Sequence, residues 1–222
     1  MRYAIQIDAG YLRARFITGR LGVFDACAVR RFVDVVSAAP ELCEHDLYRV
    51  YFYDATPLGG SKPKPLCNGT EKIDFSSSES FDINSKLHAE LESVDFVALR
   101  MGKTAFRGWA IKKGKMASIL QSRGPSVNLV TGDFQPVVSQ KGVDLRVGLD
   151  IAALALKRHV DIVVLVTGDS DFVPALKFAR REGLQTYLVQ IDGASVPQGQ
   201  TSRELAQHID KNVRIAAADL HG

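Results

Sequence analysis

The run Asp161-Ile162-Val163-Val164-Leu165-Val166-Thr167 constrains the fold more than any other stretch of the chain. It is short and nearly continuously apolar, so it reads as a strand covered on both faces. Strands of that kind belong to parallel sheets whose crossovers lay helices over each face. Gly168-Asp169-Ser170-Asp171-Phe172 follows directly. This acidic turn leads into a helix over about 171–182, and Gly183 stands where a helix C-cap is wanted.

The same alternation runs along the chain. Strands are predicted at Tyr3–Ile7, Leu47–Tyr53 (ending at Asp54), Phe96–Arg100 and Leu184–Ile191. Helical spacing appears over Asp25–Ser37, where Ala28, Phe32, Val35 and Val36 share a face, and over the more polar Phe81–Ser93. It returns at Asp144–His159 and at Ser202 to about Ile209. Strands alternating with helices imply right-handed βαβ crossovers and a doubly wound α/β sheet. For 222 residues the expectation is one domain over 1–222 with an insertion or variable region at about 57–139. Pro57–Ser80 is rich in Gly, Pro, Lys and Ser and reads as loop; Arg107–Gln140 shows no clear period.

Several function classes fall away. The three cysteines, Cys27, Cys43 and Cys67, form no CxxC pair, which argues against a disulfide framework or structural zinc. They suit a reducing compartment, the cytoplasm. The N-terminus breaks at Asp8 and reads as a strand rather than a signal peptide, and no run approaches the ~20 apolar residues of a membrane span. The five histidines have no ligand spacing. There is no GxxxxGK[ST] loop, no GxGxxG, and no G-x-S-x-G elbow around Ser170.

Charge is unevenly placed. Between Phe96 and Gly132 there is no acidic residue, while Arg100, Lys103, Arg107, Lys112, Lys113, Lys115 and Arg123 are present, in a chain of net charge +3. A basic stretch on a mildly acidic remainder fits a polyanion partner or a solvated face.

The carboxylates carry the sharper signal. Asp8 follows the first strand directly, with Ala9-Gly10 read as a turn; Asp169 and Asp171 follow the strand at 161–167. Ligands of open α/β sheets bind beyond the carboxyl ends of strands where strand order reverses. If these two strands are neighbours, the three carboxylates converge, and like charges at close range need a counter-charge. Oxygen-only ligation favours Mg²⁺ or Mn²⁺. Asp171 also has the position of a helix N-cap, more naturally than Asp169. Lys141-Gly142-Val143-Asp144 opens a helix that is apolar nearly all round, which predicts burial, with Asp150 in its middle. Asp144 and Asp150 lie about 240° apart on a helix, so one is expected at the cation and the other in support. Asp144 is the better ligand; Asp150 could bind Lys141 or a loop amide. Lys141 reads as a phosphate-holding cation or as a plain surface lysine.

Three stretches together resemble the NYN domain family, the bacterial branch called LabA-like or DUF88, in the PIN-like nuclease superfamily. They are Ile5–Leu12, Lys141–Asp144 with Asp150, and Val164–Pro174. The resemblance covers roughly 1–56 and 140–191. It implies a Rossmann-like (PIN-like) domain with a central, mainly parallel sheet of five or more strands flanked by helices. It also implies an acidic metal cluster that hydrolyses RNA phosphodiester bonds. Asp8, Asp144, Asp169 and Asp171 match the family's acidic residues, and Asp150 a recurrent further one. Many members carry Asn where this chain has Tyr11, which could instead stack on a base. The expected function is thus a Mg²⁺- or Mn²⁺-dependent ribonuclease. Lys141, Tyr11, Ser170, Arg100, Lys103, Arg107, Lys112 and Lys113 are its candidates for contacting RNA. The rival is a non-catalytic RNA- or protein-binding module that keeps the fold. A phosphatase of the haloacid-dehalogenase type would need an Asp where Gly10 stands. A homodimer is left open.

Overall fold

The computed structural model describes residues 1–121, 127–193 and 202–221. In chain order its elements are β1 (Arg2–Asp8), α1 (Ala9–Gly19), α2 (Ala26–Ser37), β2 (Asp46–Ala55), β3 (Ser61–Pro63) and β4 (Lys72–Asp74). Then come α3 (Glu79–Leu91), β5 (Val97–Ile111), α4 (Lys113–Gln121), β6 (Phe134–Lys141) and α5 (Val143–Leu156). The chain ends with β7 (Ile162–Val166), α6 (Val173–Arg181), β8 (Gln185–Asp192), α7 (Arg203–Ala206) and β9 (Lys211–Ala216). Seven strands form a sheet in the order β6-β5-β2-β1-β7-β8-β9. β1 pairs in parallel with both β2 and β7, and β8 pairs in parallel with β7 and β9. The α/β, mostly parallel architecture is the one the alternating pattern predicts.

The residues divide into two compact units. The first comprises Met1–Asp54, Leu87–Gly102 and Gly142–Gly222. Its sheet is apolar on both faces because successive side chains alternate. Tyr3, Ile5 and Ile7 join Val50, Phe52, Val164 and Val166 in a core with Leu12 and Phe16 of α1 and Val29, Phe32 and Val36 of α2. The intervening Ala4, Gln6, Tyr51, Tyr53, Val163 and Leu165 are buried on the other face. The hydrogen bond from Tyr53 to Asp150 places α5 there, and α5 packs against α6.

The second unit comprises Ala55–Lys86 and Lys103–Lys141. It holds the β3–β4 antiparallel hairpin, α4, and the outer part of β5 paired antiparallel with β6. Phe75, Phe106 and Trp109 cluster with ring centroids 5.6–6.1 Å apart, and Trp109 Nε1 donates to the Pro63 carbonyl at 2.8 Å. The variable region expected at about 57–139 falls largely within this unit, while Leu87–Gly102 belongs to the first.

Two local expectations are corrected. Ala9-Gly10 is no turn: α1 starts at Ala9 with no intervening loop. The helix with Asp150 is not buried all round. Val147, Ile151 and Leu154 are covered, but Leu145, Leu149 and Leu156 are 67%, 60% and 64% exposed. Apolar count alone cannot tell a helix covered on one side from one covered on all. Among the described residues no helix is long and apolar enough to cross a membrane.

Candidate carboxylate site at the strand ends

Strand order turns at β1, with β2 on one side and β7 on the other. The sequence motifs on β1 and β7 are therefore neighbours, since Ile7 lies opposite Val166. Asp8 ends β1 and caps α1, its Oδ1 accepting from the Tyr11 amide at 3.1 Å. Its Oδ2 accepts from Thr167 Oγ1 at 3.3 Å, and Thr167 Oγ1 in turn accepts from the Asp169 amide at 3.2 Å. A buried threonine thus ties the acidic end of β1 to the acidic turn after β7.

That turn caps differently from the prediction. Asp171 is not the cap of α6, whose N-cap position is Phe172 without a side-chain cap; Asp169 instead caps the 3₁₀ turn ahead of it, its Oδ1 accepting from the Asp171 amide at 2.9 Å. The reason is a single 3₁₀ turn, Ser170–Phe172, which takes up the residues where the helix was expected to begin, so that α6 starts at Val173. Asp171 is exposed and Ser170 half-exposed within that turn. Asp144 is the second residue of α5, after Gly142 with φ 77°, a left-handed conformation that glycine adopts without a Cβ penalty.

Two of the four carboxylates, Asp8 and Asp144, are perturbed by burial and by neighbouring charge. Asp8 is held above the usual carboxylate range, first by loss of water and last by the charge of Asp144; hydrogen bonds from the Tyr11 and Gly10 amides and Thr167 oppose this. Asp144 is also raised, by partial desolvation and then by the charges of Asp169 and Asp171. Among the described residues none of the four has an ion-pair partner.

Among the described residues no three His, Cys, Asp or Glu side chains form a ready-made metal cage. The donor chemistry nevertheless fits a hard divalent cation: the oxygens are all carboxylate, Asp144 is repelled by Asp169 and Asp171, and none of the four has a counter-charge among the described residues. A Cβ on Gly10 would sit 3.3 Å from Asp8 Oδ1, so glycine keeps the approach to that oxygen open. Asp144, Asp169 and Asp171 are exposed, so their carboxylates are open to an ion from solution.

Asp150 stands apart from this group. Its Oδ2 lies 2.9 Å from Arg100 Nε and accepts from Tyr53 Oη at 3.0 Å. These partners replace the Lys141 or loop amide suggested by the sequence. Tyr53 Oη also contacts Gln6 Oε1, and burial together with the Asp150 charge pushes its phenol up. Arg100 lies over the Tyr51 ring at 5.1 Å, so it is engaged on both sides.

Sequence reasoning passed over Asp54, His88 and Thr167. Asp54 is buried, with Oδ2 2.9 Å from Arg13 Nη2 and 3.0 Å from His88 Nε2. It lies one residue beyond Tyr53, which pairs with Asp8. The signal was present: β2, like β1, carries an aspartate at its carboxyl end. His88 had no spacing to mark it, because its partner comes from another element.

Tyr11 is half-exposed with the Arg15 guanidinium 4.8 Å from its ring centroid, so one face is already covered. Lys103, Arg107, Lys112, Lys113 and Lys141 are exposed and belong to the second unit. Arg107 Nε donates to Ser139 Oγ at 2.9 Å, and Lys115 pairs with Asp133 at 3.1 Å. Arg123 lies outside the described residues.

Comparison with known proteins adds three findings. Residues 84–215 match the NYN domain family. A 61-residue segment is 28% identical to an uncharacterized protein of Methanocaldococcus jannaschii, spanning 28% of this chain and 25% of that relative. The whole fold is similar to the crystal structure of a protein of unknown function from Vibrio parahaemolyticus. That match has a TM-score of 0.51 and 19% identity over 96% of this chain and 92% of the other, a likeness of fold alone.

Proposed function

The chain belongs to the NYN domain family of the PIN-like nuclease superfamily, and from that premise we propose that it is a metal-dependent ribonuclease of the LabA-like (DUF88) branch, acting in the cytoplasm. One observation carries the reading. Asp8, at the strand-order reversal, and Asp144 are both held above their ordinary pKa, Asp8 in part by the charge of Asp144 and Asp144 in part by those of Asp169 and Asp171, and among the described residues none of the four has an ion-pair partner. Such an arrangement is costly unless a positive ligand from solution offsets it.

Asp8, Asp144, Asp169 and Asp171 would hold Mg²⁺ or Mn²⁺, which when bound activates water and stabilises the leaving oxygen of a phosphodiester. The chain's own contribution is positioning. The Tyr11 amide and Thr167 hydroxyl fix both oxygens of Asp8, and the Asp171 amide fixes Asp169. The exposed cations of the second unit, among them Lys103, Lys112, Lys113 and Lys141, offer a phosphate-binding surface of their own. The alternative, a non-catalytic RNA-binding module, draws on Tyr11, which stands where many relatives carry Asn and already lies against Arg15. It predicts salt-sensitive RNA binding without turnover.

The test is cleavage of labelled single-stranded RNA in Mn²⁺, with and without EDTA, beside Asp169→Asn. Cleavage that EDTA stops and the variant lacks is the expected result. Equal cleavage by Asp169→Asn would remove the carboxylates from the mechanism, and RNA binding without cleavage would favour the module.

A further inference from the structure

A cavity of about 330 Å³ opens in the first unit on the α5 side of the sheet, and nothing in the carboxylate chemistry uses it. Ala98 and Leu154 contribute apolar lining, and Tyr48, Tyr51 and His159 contribute rings. An irregularity of the backbone helps build it. Tyr3 pairs with Leu47 and Ala4 with Arg49, so Tyr48 is an extra residue in β2, a β-bulge. Regular alternation would turn Tyr48 away from the face that carries Arg49 and Tyr51. Bulges re-aim side chains, and here Tyr48 lines the same cavity as both. Its ring stacks on His159 at 5.7 Å with the planes 17° apart.

The charge at this cavity is of one main sign. Arg100 is paired to Asp150. Arg49 and Lys157 have no ion-pair partner among the described residues, and both are exposed at the rim. Arg49 lies 5.8 Å from the Tyr48 ring centroid. Flat π-faces beside unpaired cations are the recognition chemistry of a nucleotide: a base stacks and its phosphate meets the positive charge. The volume lies at the small end of the ~300–1,000 Å³ typical of ligand pockets, which suits one nucleotide rather than a folded partner.

We propose that this cavity is a second nucleotide site. It seats one base of single-stranded RNA against the Tyr48–His159 pair, with the adjoining phosphate on Arg49 and Lys157. The proposal rests on RNA being the substrate of the carboxylate site and adds a place for the strand beyond the point of cleavage. α5 connects the two, since Asp144 opens the helix and Ala153–Lys157 reach the cavity, about 14–20 Å away at 1.5 Å per residue. The strand would run along that helix.

The experiment reads binding apart from cleavage. Anisotropy of a fluorescein-labelled single-stranded RNA hexamer is measured in EDTA, where no metal-dependent turnover occurs. Tyr48→Ala and Lys157→Gln are each expected to weaken binding about tenfold, while Tyr48→Phe, which keeps the ring, stays within about twofold. Lys157→Gln should also lower the salt dependence by about one counterion. Lys157 is exposed, so its substitution reads binding even if Tyr48→Ala fails to fold. Wild-type-like binding by Lys157→Gln and by folded Tyr48→Ala overturns the proposal, as does absence of RNA binding by the wild type. Cleavage in Mn²⁺ is scored separately. Weakened binding without any wild-type cleavage would sink the nuclease reading and leave this site standing; cleavage with unaffected binding would do the reverse.

Discussion

The first unit treats its aspartates in two ways. Asp54 and Asp150 are provided for by the chain: Arg13 and His88 meet the first, Arg100 and Tyr53 the second. Asp8, Asp144, Asp169 and Asp171 receive backbone or hydroxyl donors at most and no cation among the described residues. The proposed metal site requires such a difference: arginines meet two of these aspartates and, among the described residues, none meets the other four. Burial alone does not sort them, because Asp8 and Asp150 are both half-buried and only Asp150 has a cation beside it. Proximity to the strand-order reversal does not sort them either, since Asp54 ends β2 beside Asp8. The counter-charge does.

The largest effect expected from this division is on catalysis. Asp144→Asn should lower Mn²⁺-dependent RNA cleavage by about 10³-fold, or ~4 kcal/mol of transition-state stabilisation. Asp150→Asn should stay within about tenfold, measured as single-turnover rates side by side. A loss of equal size at Asp150 would erase the distinction between the two sets. Next is stability. Asp54→Ala leaves Arg13 and the buried His88 without their shared carboxylate and should cost ~3 kcal/mol in urea unfolding, the scale for breaking a buried pair. A cost below ~1 kcal/mol would mean that the chain does not depend on this pairing. Smaller again is the response to metal. Mn²⁺ at about ten times its dissociation constant should stabilise the wild type by ~1.4 kcal/mol, on the order of 2–4 °C in Tm. Asp144→Asn should lose most of that shift, while Asp54→Ala, though less stable, should keep it.

The sequence made some of this division legible and hid the rest for identifiable reasons. The run at 162–166 is apolar in every residue, and all five are buried, so strand and sheet type followed from it. That strand pairs with β1, so Asp8 and the acidic turn are joined through Thr167, which is why the turn could be read at all. α1 was missed because Ala9-Gly10 looks like a turn, and Gly10 is there for space beside Asp8 rather than for a bend. β6 was missed because it is an antiparallel edge strand with mostly exposed side chains and Pro136, so no period marks it. β9 buries only Val213 and Ile215, too few to stand out. Asp54 with Arg13 and His88 joins residues 41 and 34 positions apart, a long-range pairing that no local spacing encodes. The exposed leucines of α5 show the same limit from the apolar side: a helix pattern says what could be covered, and topology decides what is.

The smallest effect, and the one that turns most directly on counter-charge, is the pH dependence of the metal-free protein. Asp8 and Asp144 are both raised, by desolvation and by neighbouring carboxylates. A group whose folded pKa lies above its unfolded value binds its proton more tightly in the native state. Its contribution to stability is therefore complete below the unfolded carboxylate pKa and is lost as pH rises through the folded one. Asp8→Asn removes this dependence while keeping the cap, since asparagine accepts from the Tyr11 amide as aspartate does. In EDTA the variant should match the wild type near pH 3.5 and become the more stable of the two as pH rises to 7, by about 2 °C. Thermal melts of both proteins across that range measure the difference. Adding Mn²⁺ at pH 7 should reverse the order, because the ion stabilises the ionised wild-type group and finds one ligand fewer in the variant. A difference that shrank with rising pH in EDTA would mean that Asp8 already has a counter-charge within the folded chain, and the contrast with Asp54 and Asp150 would fail at its centre.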